Sequence, residues 1–206
     1  MTGGAFIWQG HPLYITRSGY TGEDGFEISV PASGASTLAQ ALLAEPEVQA
    51  IGLGARNSLR LEAGLCLYGQ DIDVQTTPVE AGLNWAIQKV RRSGGERAGG
   101  FPGSDPVLAQ LDGLQPLPRR RVGLLALERV PVREHTVLQS VDGNVVGEVT
   151  SGLLGPSIDQ PIGMGYVHPD HASPSHRLNA VVRGKTVPMQ VAAMPFVPNR
   201  YHRGPK

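Results

Sequence analysis

The sequence predicts an α+β first part followed by an all-β barrel or sandwich. Three observations predict it. Up to about residue 115, strand-like and helix-like periodicities alternate. From Arg119 onward, six short apolar runs follow one another at regular spacing, divided by turn residues. Between the two lies a stretch rich in Gly and Pro, from Gly94 to Pro118, that reads as loop and places a boundary near Gln115–Pro118.

The elements follow in order. Leu13–Thr16 reads as a short strand with little ahead of it to pair with, so the chain reads as part of a longer protein. Asp24-Gly25 is a hairpin-type turn dipeptide. Phe26, Ile28 and Val30 then alternate with Glu27 and Ser29 until Pro31 ends the strand. Ala35–Ala44 predicts a helix with Leu38, Leu42 and Leu43 on one face, capped by Ser33 or Gly34 and stopped by Pro46. Ala55–Ala63 predicts a second helix, with Gly64 as its C-terminal stop and Leu59 sharing a face with Glu62 or Ala63. Thr77 and Glu80 have capping-box spacing with Pro78 between them, which predicts a short helix start; "LNWAIQ" then reads as a strand. In the last part, "RVGLLAL", "HTVLQSV", "NVVGEVT", "IGMGYV", "LNAVV" and "VPMQVAAM" are the strands. Asp142-Gly143 and Arg183-Gly184 are turns between paired runs.

Composition narrows the function. The formal net charge is zero, which argues against a nucleic-acid binder, whose footprint is basic. No apolar run approaches the roughly 20 residues that cross a bilayer, so no membrane role is expected. Cys66 is the single cysteine; it fits a reducing compartment and reads as a buried structural thiol between leucines. His168 and His171 lie three apart in a Pro-flanked loop with no third ligand near, so no metal site is expected. "GLGAR" lacks the full glycine spacing of a dinucleotide loop. Arg119-Arg120-Arg121 reads as a solvated charge run, and Arg60 and Glu62 as structural ion-pair partners. Two side chains invite more. Glu27 interrupts an apolar strand, either as its solvent face or as a carboxylate accepting hydrogen bonds from a planar donor–donor edge such as a pterin or guanidine. Arg56 opens a helix, where a cation gains nothing from the helix dipole, so a salt bridge or an anionic ligand would explain it.

The stretches "GYTGEDGFEISVP", "GARNSLRLEAGLCLYGQDID", "TTPVEAGLNWAI" and "MPFVP" together resemble the aminomethyltransferase (T protein) family of the glycine cleavage system, in the family's order and from about Trp8 to Tyr201. The wider superfamily includes non-catalytic folate-binding modules and the folate-binding tails of flavin-dependent demethylating dehydrogenases; "LEAGLCLYGQDID" resembles the T protein specifically.

The resemblance implies a cloverleaf of two interleaved α+β domains and a C-terminal antiparallel β-barrel around a folate pocket. Here that means parts of the first two, residues 1–57 and 58–117, and the barrel over 118–206. It implies transfer of a one-carbon unit from the aminomethylated lipoyl arm of an H protein to tetrahydrofolate, with release of ammonia, in the cytoplasm or, in a eukaryote, the mitochondrial matrix. It implies folate contacts at Glu27, Tyr20 and Arg56, with Tyr201 closing the pocket and Arg200 beside it. Asn57 stands where the family usually has Asp. The family's catalytic aspartate lies in an N-terminal half that has no counterpart here, so no catalytic residue is assigned. The chain alone is expected to be inactive or nearly so, and residues 1–115 to expose apolar surface.

Overall fold

The structure, a computed structural model, describes residues 2–204. It opens with a three-stranded antiparallel sheet in the order β1 (Gly3–Trp8), β2 (His11–Thr16), β3 (Glu27–Ser29). β2 does have a partner ahead of it, contrary to the sequence expectation. Gln9 and Gly10 take φ of 48° and 79°, the left-handed pair of a two-residue hairpin turn, and register runs from Trp8↔His11 to Gly3↔Thr16. Gln9 is not a residue that announces such a turn. Asp24-Gly25, which does, makes no tight hairpin. It lies near the end of a long loop, because Thr16 pairs with Glu27.

Helix α1 spans Ala32–Leu43 and starts directly after Pro31, with Ser33 and Gly34 inside its first turn rather than capping it. Only Gly34 and Leu38 are buried on it, while Leu42 and Leu43 stay exposed. Helix α2 spans Leu53–Glu62. Gly64 at φ 71° ends it: its N–H bonds the Leu61 carbonyl, and that of Leu65 bonds the Arg60 carbonyl. The buried side of α2 is Arg60, Leu61 and Glu62, so two charges face inward where Leu59 was expected.

Thr77 does accept the Glu80 N–H through its hydroxyl at 3.1 Å, but only a single turn forms, ended by Gly82 at φ 68°. The Glu80 carboxylate is shared between the Thr77 hydroxyl at 3.2 Å and Arg119 at 2.8 Å. "LNWAIQ" is no strand. Asn84–Ala86 and Lys89–Arg91 are short 3₁₀ turns. A third helix, α3 (Ser104–Leu111), lies inside the stretch read as loop. Its Pro106 falls in the first turn, where a missing N–H costs no helical bond, and Gly113 at φ 72° closes its end.

The six predicted runs form a closed antiparallel barrel from β4 (Arg120–Ala126), β5 (Val137–Gln139), β6 (Val145–Gly155), β7 (Gln160–Val167), β8 (Arg177–Val182) and β9 (Lys185–Ala192). The order around it is β4-β7-β6-β5-β8-β9, and β9 closes onto β4. Its interior is filled by Leu124, Leu138, Val149, Leu178, Met189 and Val191 among others. Arg183 (φ 51°) and Gly184 (φ 75°) make the expected tight turn between β8 and β9.

α2 packs on the outside of this barrel, where Leu61 meets Ile162 and Met164. Polar contacts then lock the joint. Arg60 is spread over Asp71, Ser151, Asn57 and the Leu65 carbonyl. Glu62 accepts from both the N–H and the hydroxyl of Ser157 at 2.7 Å. The arginine run is no solvated patch either. Arg119 pairs with Glu80 at 2.8 Å and lies over the Tyr166 ring, and Arg121 donates to the carbonyls of Ala81 and Gly64. Arg120 is the most exposed of the three. The first part also exposes apolar side chains, as expected, with Ile7, Leu53, Val74 and Trp85 all more than two-thirds accessible.

Candidate functional site

Between the first part and the barrel lies a cavity of about 1260 Å³. Its walls come chiefly from the β2–β3 loop (Arg17–Gly19, Glu23–Gly25), the turn after α2 (Ala63–Cys66), the segment from Ala81 to Trp85, the start of β4, and the chain leaving β9 down to Gly204. The β2–β3 loop is held in shape by its own charges. Arg17 straddles the Asp24 carboxylate, Nε to Oδ1 at 2.8 Å and Nη2 to Oδ2 at 2.5 Å. That bidentate contact holds the Asp24 carboxyl below the usual carboxylate range and the Arg17 guanidinium above its own. The loop is also tied down from behind, since Tyr20 donates its hydroxyl to the Cys66 carbonyl. Burial raises the Tyr20 phenol and likewise the Cys66 thiol. Cys66 is half-buried and lines the cavity, so it is not the sealed core thiol expected from its leucine neighbours.

The five residues expected at the site do not share one space. Tyr201 lines the large cavity. Glu27 stands behind its wall, exposed at the start of β3. Its Oε2 accepts from the hydroxyl of Ser18, which does line the cavity, at 2.5 Å. Tyr20 and Arg56 flank a separate hollow of about 320 Å³ beside α2. There the Arg56 guanidinium lies 4.4 Å from the Tyr20 ring centre, a cation–π contact. Arg200 is on the outer side, 3.6 Å from Glu23, and its backbone N–H bonds the Gly22 carbonyl at 2.8 Å.

Three features went unread in the sequence. The Arg17–Asp24 clamp had a signal, opposite charges bracketing a glycine-rich loop. Asn199 lines the cavity with nothing in its surroundings to mark it. Asp71 is fully buried and gathers Arg60, Thr150, Ser151 and the Leu67 N–H. Its partners come from α2, from the chain just after it and from β6, and the β6 contacts, 79 and 80 residues away, leave no local pattern. Among the described residues no group of three His, Cys, Asp or Glu side chains could hold a metal, and His171 Nδ1 and His176 Nε2 simply meet at 2.9 Å. No helix there is long and apolar enough to cross a membrane.

Comparison with known proteins gives one answer from each direction. The GCVT N-terminal domain family matches residues 1–91, and the glycine cleavage T-protein C-terminal barrel domain family matches residues 119–198. A mitochondrial aminomethyltransferase of Flaveria anomala is 50% identical over 196 residues, covering 94% of this chain and 46% of its own length. That of Mus musculus is 51% identical over 188 residues, covering 91% of this chain and 45% of its own. The crystal structure of the glycine cleavage system aminomethyltransferase T from Bartonella henselae superposes with a TM-score of 0.87 at 46% identity, covering 93% of this chain and 51% of that one. The chain thus spans about half the length of the relatives it matches.

Proposed function

The chain belongs to the glycine cleavage T-protein family, and on that premise we propose that it supplies a tetrahydrofolate-binding surface for aminomethyl transfer. In that reaction tetrahydrofolate accepts the one-carbon unit brought on the lipoyl arm of an H protein, and ammonia leaves. The division into parts of two α+β domains, 1–57 and 58–117, ahead of a barrel domain at 118–206 belongs to the same proposal, although the 57/58 division falls inside α2. So does a cytoplasmic location, or the mitochondrial matrix in a eukaryote, where the named plant and mouse relatives reside.

The observation that carries the reading is the cavity itself. It is roomier than the several hundred cubic ångströms that a compact ligand needs, and its walls combine apolar surface with charged and polar groups such as Arg120, Arg121, Asn199 and Tyr201. An elongated molecule with a flat heteroaromatic head suits such a space. Each residue has a defined part. Tyr201 offers a ring in the wall. Glu27 keeps one carboxylate oxygen beyond the one engaged by Ser18, and an acceptor there suits the N–H edge of a pterin. Arg56, held flat on Tyr20, presents its guanidinium to a carbonyl or carboxylate of the ligand. Arg200 anchors the tail to the β2–β3 loop through Glu23. No residue of this chain is assigned the chemical step.

Calorimetric titration with tetrahydrofolate tests the reading. The chain should bind, and Glu27→Ala should weaken binding about 10-fold or more, as loss of a charge-assisted hydrogen bond does. Absence of binding by the parent chain would refute it.

A further inference from the structure

The chain that leaves the barrel crosses back over the β2–β3 loop and is pinned there by the Arg200 N–H on the Gly22 carbonyl, at 2.8 Å, and by the bridge between Glu23 and Arg200. This sets Asn199 on top of Gly22. The fit leaves no slack: a Cβ on Gly22 would lie 2.9 Å from Asn199 Oδ1 and 2.8 Å from the Ala63 Cβ, and Gly22 itself sits at φ 80°. In that position Asn199 Oδ1 is buried with no hydrogen-bond donor. The same side chain nevertheless lines the large cavity.

An asparagine amide has two polar ends. With the oxygen turned against Gly22 and Ala63, the Nδ2 end is what remains for the cavity. The orientation has a physical reason. Facing the Gly22 Cα–H an oxygen can make a weak C–H···O contact, whereas an NH₂ group would set donor against donor. Arg17 and Ser18, which also line the cavity, are already engaged, with Asp24 and Glu27.

We propose that Asn199 is a ligand-contacting, specificity-determining residue of this cavity, whose amide Nδ2 donates a hydrogen bond to a carbonyl or ring acceptor of the bound molecule. The inference rests on the folate reading above for the identity of that molecule. It differs from that reading in naming a contact of opposite polarity to Glu27: Glu27 accepts and Asn199 donates. A flat ligand with a donor edge and an acceptor edge would satisfy both.

The test is tetrahydrofolate titration of the parent chain, Asn199→Ala, Asn199→Asp and Asn199→Ser, with a thermal melt of each. Asn199→Ala should bind about 3- to 10-fold more weakly, the range for one neutral hydrogen bond. Asn199→Asp keeps the shape but sets an acceptor against an acceptor, and should lose about 10-fold or more. Asn199→Ser keeps a donor and should stay within about threefold of the parent. The Ala and Ser variants, which lose no hydrogen bond at Oδ1, should move the thermal midpoint by no more than about 2 °C. Equal binding by parent, Ala and Asp variants overturns the role of Asn199 and leaves the folate reading standing. No binding by the parent overturns the folate reading, and the Asn199 contact with it. Should the Asp variant melt early, the Ala and Ser variants decide between the same two outcomes.

Discussion

Arg60 Nη1 meets Asp71 Oδ2 at 2.6 Å in a place from which water is excluded, both side chains being no more than 1% exposed. The pair joins α2 to the segment after it. Through Thr150 and Ser151, which both donate to Asp71, it also joins them to β6. Every carboxylate oxygen and most of the guanidinium donors are used. A buried ion pair of this kind stabilises little against a hydrophobic substitute, but breaking it leaves an uncompensated charge.

Asp71→Ala is therefore expected to destabilise the chain by about 3 to 5 kcal/mol, read as a shift of the urea midpoint. A loss under about 1 kcal/mol would mean that water reaches Arg60 and the joint is looser than described.

The glycines divide into those that must be glycine and those that need not. A Cβ on Gly152 would come 1.9 Å from the Val132 carbonyl oxygen, so Gly152→Ala should cost about 3 kcal/mol or more in chemical denaturation. Gly54, in the first turn of α2, has nothing within 4 Å of such an atom and no positive φ. Gly54→Ala should stabilise the chain by up to about 1 kcal/mol through helix propensity alone. The two substitutions should move the midpoint in opposite directions.

Alkaline pH should weaken the fold through two tyrosines. Burial raises the phenols of Tyr166 and Tyr20, and Tyr166 donates its hydroxyl to the Asp71 carbonyl at 2.7 Å. The native state thus keeps these protons at pH values where the unfolded chain, titrating near pH 10, gives them up. The stability they contribute is fully present below about pH 10 and falls as pH rises towards the native values. Urea midpoints between about pH 8 and 11.5 should show this fall, and Tyr166→Phe should flatten it while lowering stability at neutral pH by about 1 kcal/mol. An unchanged slope in the variant would assign the alkaline weakening to other groups.

The barrel was legible because its strands are short, apolar and bounded by turn residues, so each can be read within its own window. The first part was read less well for reasons visible in single residues. Gln9 adopts a left-handed conformation without being a turn signal, so β1 went unseen. Pro106 and the glycines around it hid α3. In "LNWAIQ" the alternation is genuine, but Trp85 points to solvent and the backbone coils. At the site, Tyr201 and the β2–β3 loop were found through their resemblance to a family. Asp71 and Asn199 were missed because their importance lies in partners supplied from far along the chain. Glu27, singled out for interrupting an apolar strand, sits where Phe26 and Ile28 are themselves exposed, so the interruption was of a face that is not core.

Those far-off partners also govern when the cavity comes into being. Arg60 reaches Ser151 across 91 residues and Glu62 reaches Ser157 across 95, while the Arg200–Gly22 bond ties together nearly the two ends of the chain. Such contacts bear the full entropy of closing long loops and form only after the local ones. During synthesis, then, Arg60 can meet Asp71 soon after α2 emerges, while Glu62 waits for Ser157, beyond β6. The segment that carries Asn199 and Tyr201 is made long after the β2–β3 loop onto which it closes. A nascent chain that has not yet reached Tyr201, however much of its barrel has formed, has no closed cavity to offer.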